Sequence, residues 1–499
     1  MQRPAWLAAL GAAALAALYL AFAARSVFSL GYFGDDAVYV TTARALAEGK
    51  GYRHLEIPGE PLQTKYPPLY PALLSVVLRA HPELPGDFPW LLVPTALAGA
   101  GAVLLSALYW RRRLGAALVG GALLTRTIGV SLAIAAVAAP LLRRRPWDAL
   151  LIGAVILACV APWWSWQVSA EAANGAAGHA FLVAHELGYS SWLPKGPQEA
   201  LRVVGQNLLR LSFGLGYFQL ALPVGPVRAA IGEGGARLLL LHGICHTTLL
   251  LALWGFWLSA KGGIRTLHLY AAIYGAILLL WTFSPYRFLV PWTPFLLFFA
   301  ATGLRAALAA AAARLGGSSA RAALACAGLA YAALLALFLA EAWKLARSTE
   351  RDYFAREAPI DWTELLDVEG FLREHTQSEE VIASSHPERL FLTTGRRGHY
   401  FWPDTDPVAF EYDRERAASR FTILPVPAEA RARSQDVGRS LAQVYRDAKI
   451  SWYVDWGTLD AARSFARVAR ATPGWFELRH ATPGRTFAIY RVRIPESQR

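Results

Sequence analysis

Gly34-Asp35-Asp36-Ala37-Val38-Tyr39 places two adjacent carboxylates soon after an apolar run, Pro4 to Ala24. A run of that length is enough to cross a bilayer, so the carboxylates stand where the chain has returned to water. Beyond them, Ala37 to Glu48 has helical spacing. Asp35 or Asp36 caps its start, Gly49 ends it, and Tyr39, Ala43 and Leu46 share one face. The pattern predicts a short helix lying at a membrane interface, with the acidic pair at its amino-terminal end. Lys65-Tyr66-Pro67-Pro68 follows in the same polar loop, residues 25–88, and Pro67, Pro68 and Pro71 introduce a second short helix reaching Arg79.

The composition extends the membrane reading to the rest of the chain. Its 499 residues are 55% hydrophobic and only 17% charged, and nearly charge-free runs of about 17–25 residues recur along it. The net charge is +13, but the conspicuous basic clusters flank apolar spans, as the positive-inside rule requires, and give no reason to invoke nucleic acid. Cys159, Cys245 and Cys326 all lie in apolar spans, which argues against a disulfide framework. Pro4 to Ala24, with Arg3 before it, reads as an uncleaved anchor whose amino terminus is cytoplasmic. A cleaved signal peptide is the competing reading, since Ala21-Phe22-Ala23 resembles a cleavage site.

Further spans are expected at Phe88–Trp110, Ala149–Val168, Leu238–Ala260, Thr266–Phe283, Phe288–Leu304 and Ala322–Ala340. Leu114 to Leu142 is apolar apart from Arg126 and lies between Arg111-Arg112-Arg113 and Arg143-Arg144-Arg145. Its length, about 29 residues, is too short for two full crossings of roughly 20 each. If both arginine clusters are cytoplasmic, a hairpin of two half-length helices turning at Thr125-Arg126-Thr127 fits. A single span with one cluster outside competes with it. The expected fold class is therefore a polytopic α-helical membrane protein of about eight to nine crossings, residues 1–341, followed by a soluble extracytoplasmic α/β domain, residues 342–499. In that domain Asp361–Thr376 reads as helix, Val381–Ser384 as strand, Ser440–Ala448 as helix and Trp452–Asp455 as strand. Phe476–Arg479 and Thr486–Arg493 read as a closing strand pair. It has neither a phosphate-cradling glycine loop nor a metal-ligand cluster.

Several places agree, in order, with one family. Gly34-Asp35-Asp36-Ala37-Val38-Tyr39, continuing to Gly49, resembles the first loop of polyprenyl-phosphate-dependent glycosyltransferases of the C-type fold. The nearer likeness is to bacterial relatives of protein O-mannosyltransferases and to lipid A aminoarabinose transferases. Lys65-Tyr66-Pro67-Pro68-Leu69-Tyr70-Pro71, Leu124-Thr125-Arg126-Thr127-Ile128-Gly129 and Tyr286-Arg287-Phe288-Leu289-Val290-Pro291 carry the same resemblance. So do Phe371 to Thr376 and Val381 to Ser384. The resemblance implies a sugar donor on a polyprenyl phosphate and an active site on the outer membrane face. It implies Asp35 as the catalytic acidic residue and Lys65 as a partner of the donor phosphate. In one respect the chain departs from the family, because Arg113 runs almost directly into the Leu-Thr-Arg segment where relatives carry further helices.

Transfer of a sugar from a lipid phosphate makes simple demands. The leaving group departs as an anion and needs cations more than a strong acid, while the acceptor hydroxyl needs a base or an oriented carboxylate. Asp35 as base, with Asp36 beside it, and Lys65, Arg126 and Arg287 as a phosphate clamp meet those demands. Tyr39 and Tyr66 are expected as further substrate contacts. Each residue also has a plainer reading: helix capping for the aspartates, worth on the order of 1 kcal/mol, headgroup contact for Lys65, a bond to the hairpin turn for Arg126, and interfacial anchoring for Arg287. No cofactor is expected. Adjacent carboxylates can hold a divalent cation, but the surrounding cations argue against it, and His242 with His246 supplies too few ligands for a metal. Trp163, Trp164 and Trp166 are expected to form an interface belt.

The expected function is an integral-membrane glycosyltransferase of the bacterial inner membrane, acting on its periplasmic face. Its partners are a polyprenyl-phosphate sugar, membrane lipids and a hydroxyl acceptor. A transporter or flippase of a lipid-linked saccharide is the alternative that shares the basic groove without needing Asp35. An inactive, shortened member of the family is a third reading.

Overall fold

The computed structural model describes residues 30, 35–84, 86–97, 127–177, 194, 196–219, 235–281, 286–289, 291–315, 362–400, 448–456, 474–484 and 486–493, with isolated positions besides. Among the described residues three short helices come first: α1 (Asp35–Ala47), α2 (Leu69–Ala80) and α3 (Phe88–Leu97). Gly49 takes a left-handed φ of 73° just past α1, a conformation a side chain would disfavour. The one-faced α1 that the sequence suggests is not what forms. Every residue from Ala37 to Val40, and on through Thr41, Thr42 and Ala43, is buried. Leu74 and Leu78 of α2 and Phe88 and Leu91 of α3 join Val38, Tyr39 and Val40 in one cluster, and Leu392 from the far end of the chain completes it.

A second group of helices begins with a 3₁₀ turn, Thr127–Gly129, leading into α4 (Val130–Leu142) and then α5 (Pro146–Ala176). The two helices form an antiparallel hairpin, with Val130, Ala133 and Val137 packed among Ile152, Ile156, Cys159 and Val160. Next come α6 (Pro197–Gln219), α7 (Gly235–Lys261), α8 (Thr266–Leu280), a 3₁₀ turn at Tyr286–Leu289, and α9 (Thr293–Leu315). α7 and α9 touch backbone to backbone at Gly255 and Gly303. A Cβ on Gly255 would strike the Phe299 carbonyl, and one on Gly303 would strike that of Leu251. Such small-residue contacts let helix axes approach closely. Asn207 of α6 is fully buried and donates to the carbonyls of Leu278, Leu279 and Trp281, closing the end of α8.

These helices overturn the expected polytopic fold class. Among the described residues one helix, α5 with 31 residues, is long and apolar enough to cross a membrane by length and composition. Shorter apolar stretches of helix run 10–17 residues, Phe295–Ala311 within α9 among them. That set does not fit about eight to nine crossings, because a hydrocarbon core of about 30 Å takes roughly 20 residues at 1.5 Å each. α4, with 13 residues, and α8, with 15, fall short of that. Of the expected Phe88–Trp110 span, α3 is described and residues 98–110 lie outside the described residues. The expected turn at Thr125-Arg126-Thr127, apart from Thr127 itself, and most of Ala322–Ala340 lie outside the described residues.

The carboxy-terminal part is a five-stranded sheet with two described helices. α10 (Trp362–His375) leads to β1 (Val381–Ser384), α11 (Pro387–Thr394), β2 (Gly398–Tyr400), β3 (Ile450–Asp455), β4 (Phe476–Ala481) and β5 (Ala488–Val492). The strand order is β2-β1-β3-β5-β4; β1 lies parallel to β2 and β3, while β5 runs antiparallel to β3 and β4. Leu365, Val368 and Leu372 of α10 cover Ile382, Trp452, Val454 and Ile489 on one face of the sheet. Ala383, Ile450, Tyr453 and Trp475 pack on the other. Ile450 and Tyr453, three apart, share that face because the register with β1 slips between Val381 and Ile382.

Candidate functional site

The acidic pair begins α1, where the unpaired N–H groups of the first turn favour negative charge. Asp35 Oδ1 accepts a hydrogen bond from the Tyr66 hydroxyl at 2.5 Å. The Tyr66 ring lies 4.8 Å from that of Tyr39, which meets Tyr70 edge-on at 5.2 Å, and the Tyr70 hydroxyl pairs with Thr95. Lys65 Nζ lies 5.6 Å from the centre of the Tyr66 ring. One aromatic ring thus carries a carboxylate at its hydroxyl and an ammonium beside its face. Five of the seven residues singled out from the sequence (Asp35, Asp36, Tyr39, Lys65 and Tyr66) are gathered here.

Arg126 lies outside the described residues, though the turn after it packs Ile128 against a cluster that includes Phe288 and Leu289. Arg287 sits in the 3₁₀ turn at Tyr286–Leu289, and its neighbour's carbonyl, that of Phe288, accepts from the Tyr274 hydroxyl at 2.7 Å. The two segments share this cluster, which is separate from the one around Asp35.

What holds Lys65 and Tyr66 in place is a residue the sequence did not mark. Gln63 is fully buried, and its Oε1 accepts from the backbone N–H groups of Lys65 at 2.9 Å and Tyr66 at 3.3 Å. Its Nε2 reaches Thr42 on α1 at 3.4 Å. The loop is fastened to α5 as well. Trp166 donates its indole N–H to the Gln63 carbonyl, Asn174 exchanges two hydrogen bonds with the Leu62 backbone, and Tyr52 meets Trp163 edge-on. Trp163 and Trp166 therefore anchor the loop, whereas Trp164 is exposed. An isolated glutamine in a polar loop carries no pattern that would have pointed to it.

No family model matches the chain, and no curated protein does. The site has to be read from its own chemistry. Among the described residues no group of three or more His, Cys, Asp or Glu side chains is placed to hold a metal ion, and His246 is exposed.

The carboxy-terminal domain reaches into this neighbourhood through α11, a helix absent from the sequence reading. Arg389 is buried; its Nε meets Glu369 at 3.0 Å and one terminal nitrogen donates to the Leu30 carbonyl at 2.5 Å. The Gly398 N–H donates to the Glu56 carbonyl at 2.7 Å, and Glu56 itself is paired with His54 in a fully enclosed contact of 2.7 Å. Burial pushes the Glu388 carboxyl well above its ordinary range, reinforced by the charges of Glu56 and Asp36. Burial likewise pushes His386 down to about 4, and the Arg389 charge adds to that. At the other end of α1 a cleft of about 550 Å³ separates Arg44, Glu48 and Lys50 from Glu379 and Arg397. Its cations are paired, Arg44 and Lys50 with Glu48 and Arg397 with Glu60.

Proposed function

We propose that the protein is a membrane-bound glycosyltransferase that moves a sugar from a polyprenyl phosphate to a hydroxyl acceptor. In this reading Asp35 orients and deprotonates the acceptor, and Lys65 stabilises the phosphate as it leaves. Tyr66 holds the Asp35 carboxylate in a single orientation, and Tyr39 supports the Tyr66 ring. Arg126 and Arg287 supply further positive charge to the departing phosphate, and Asp36 belongs to the same acidic end of α1. The membrane is the bacterial inner membrane, with the site on its outer face. The reading rests on one observation above all, the carboxylate and the ammonium brought to a single buried tyrosine at the start of α1.

The deciding measurement uses the purified full chain in detergent, with a polyprenyl-phosphate sugar and a panel of hydroxyl acceptors. Asp35→Asn keeps the shape of the site and removes the base. Transfer is expected to fall by about 10²-fold or more, while donor binding, measured by lipid co-purification, stays within about twofold. Undiminished transfer by Asp35→Asn would exclude this assignment of the base.

A further inference from the structure

The carboxy-terminal domain is joined to the acidic end of α1 by a guanidinium with defined partners on both sides. Arg389 comes from α11, is 3% exposed, and pairs with Glu369 on α10 of its own domain. The same side chain crosses to the Leu30 carbonyl, just ahead of Asp35 and Asp36 in the chain. Leu392, one helical turn further along α11, is buried against the α1 cluster with Phe391 beside it, so the guanidinium is held by packing as well. The electrostatics agree: the Asp36 charge acts on Arg389, on Glu388 and on His386 alike.

We propose that Arg389 is a positioning residue for the acidic pair: it holds the Leu30 backbone just ahead of α1, its charge complementary to that of Asp36, so that Asp35 is left to Tyr66. The two carboxylates then have separate tasks. Asp36 answers to the carboxy-terminal domain, and Asp35 answers to the site. The domain is accordingly part of the site's construction, although none of its residues touches the Tyr66 ring among the contacts described. A lysine is a poor substitute for this guanidinium, because the bond to Glu369 leaves from Nε and that to the Leu30 carbonyl from a terminal nitrogen, whereas lysine offers all its donors from one atom. The deeper claim about Asp35 rests on the transferase reading; the coupling of Arg389 to α1 does not.

Hydrogen exchange on the full chain separates the two. With Arg389→Ala, amides at the start of α1 are expected to exchange about tenfold faster or more, while those of α2 change far less. Arg389→Lys should not restore them, and it serves in place of the alanine variant if that fails to fold. In an Asp36→Asn background the effect of Arg389→Ala should shrink, since part of it acts through Asp36. Glu369→Gln is the structural control. It breaks the same buried pair but leaves the guanidinium at α1, so it should lower the melting temperature without the local exchange effect. In the transfer assay Arg389→Ala should lower kcat at an unchanged donor KM. Unchanged α1 exchange in Arg389→Ala, additive effects with Asp36→Asn, or Glu369→Gln reproducing every effect would each overturn the proposal. A wild-type chain that transfers no sugar would refute the transferase reading, while the exchange data would still decide this one.

Discussion

Replacing Gln63 with methionine removes the hydrogen-bonding head of a fully buried side chain and keeps its length. Three bonds go: the Lys65 and Tyr66 backbone N–H groups lose their shared acceptor, and the Thr42 hydroxyl loses its donor. The main-chain bonds of residue 63, from its N–H to the Tyr52 carbonyl and from the Trp166 indole to its own carbonyl, do not depend on the side chain and remain. A buried polar group deprived of its partner costs about 1–3 kcal/mol. Two of the lost bonds, at 3.3 and 3.4 Å, are long and weak. The sum is therefore about 2–4 kcal/mol against folding of the first loop, partly offset by the thioether's apolar burial. Chemical denaturation of the full chain in detergent should show that loss. Amine labelling should find Lys65 modified faster, because its backbone is no longer held. Trp166→Phe, which removes a single bond from the same loop, should cost about 1 kcal/mol. A Gln63→Met variant as stable as the parent to within about 0.5 kcal/mol, with unaltered Lys65 labelling, would refute the claim that this glutamine organises the site.

Gly303→Ala puts a methyl group into the backbone of α7 at Leu251, so α7 and α9 must separate. The expected cost is about 1–3 kcal/mol, read as a lower melting temperature, with Gly255→Ala giving the same result. Glu364 is buried, which alone would raise its pKa, but hydrogen bonds from Thr486, Thr482 and Gly484 hold it below the ordinary value of 4.5. A depressed carboxylate stabilises the fold above that value and loses its contribution as pH falls through the folded pKa. Acid melts should thus steepen below about pH 4.5, and Glu364→Gln should remove that part of the slope. Glu388 has the opposite sign. Its raised pKa means that holding it neutral costs progressively more as pH rises above 4.5. Glu388→Gln is expected to raise the melting temperature at pH 8 and to leave it unchanged near pH 4, where His386 is the group that titrates. A uniform effect at both pH values would contradict the burial argument.

What was legible in the sequence was local. Asp35 and Asp36 ahead of an apolar periodic run, with Gly49 behind it, marked α1 to within about two residues at each end, because capping and backbone preference act over a single turn. The short β-branched and aromatic runs around Val381, Trp452 and Ile489 marked the strands for the same kind of reason. α11 and β2 went unread because His386-Pro387-Glu388-Arg389 looks like a polar loop. Its charges are buried only through partners elsewhere.

Span length was misread because hydrophobicity alone does not say where a helix ends. The apolar run from Leu114 contributes the 13-residue α4 to the described structure, and that from Thr266 stops as helix at Leu280, where Trp281 turns to extended backbone.

The sequence by itself determined that this chain carries an acidic helix start, a lysine–tyrosine–proline turn and a small α/β tail. Each of these is fixed by interactions between residues close along the chain. Only the tertiary structure decided that Tyr66 meets Asp35, that Gln63 holds Lys65, and that Arg389 crosses the length of the chain to Leu30. Those contacts arise from side chains meeting across packed elements, and residue order does not encode which distant partner will satisfy a buried polar group.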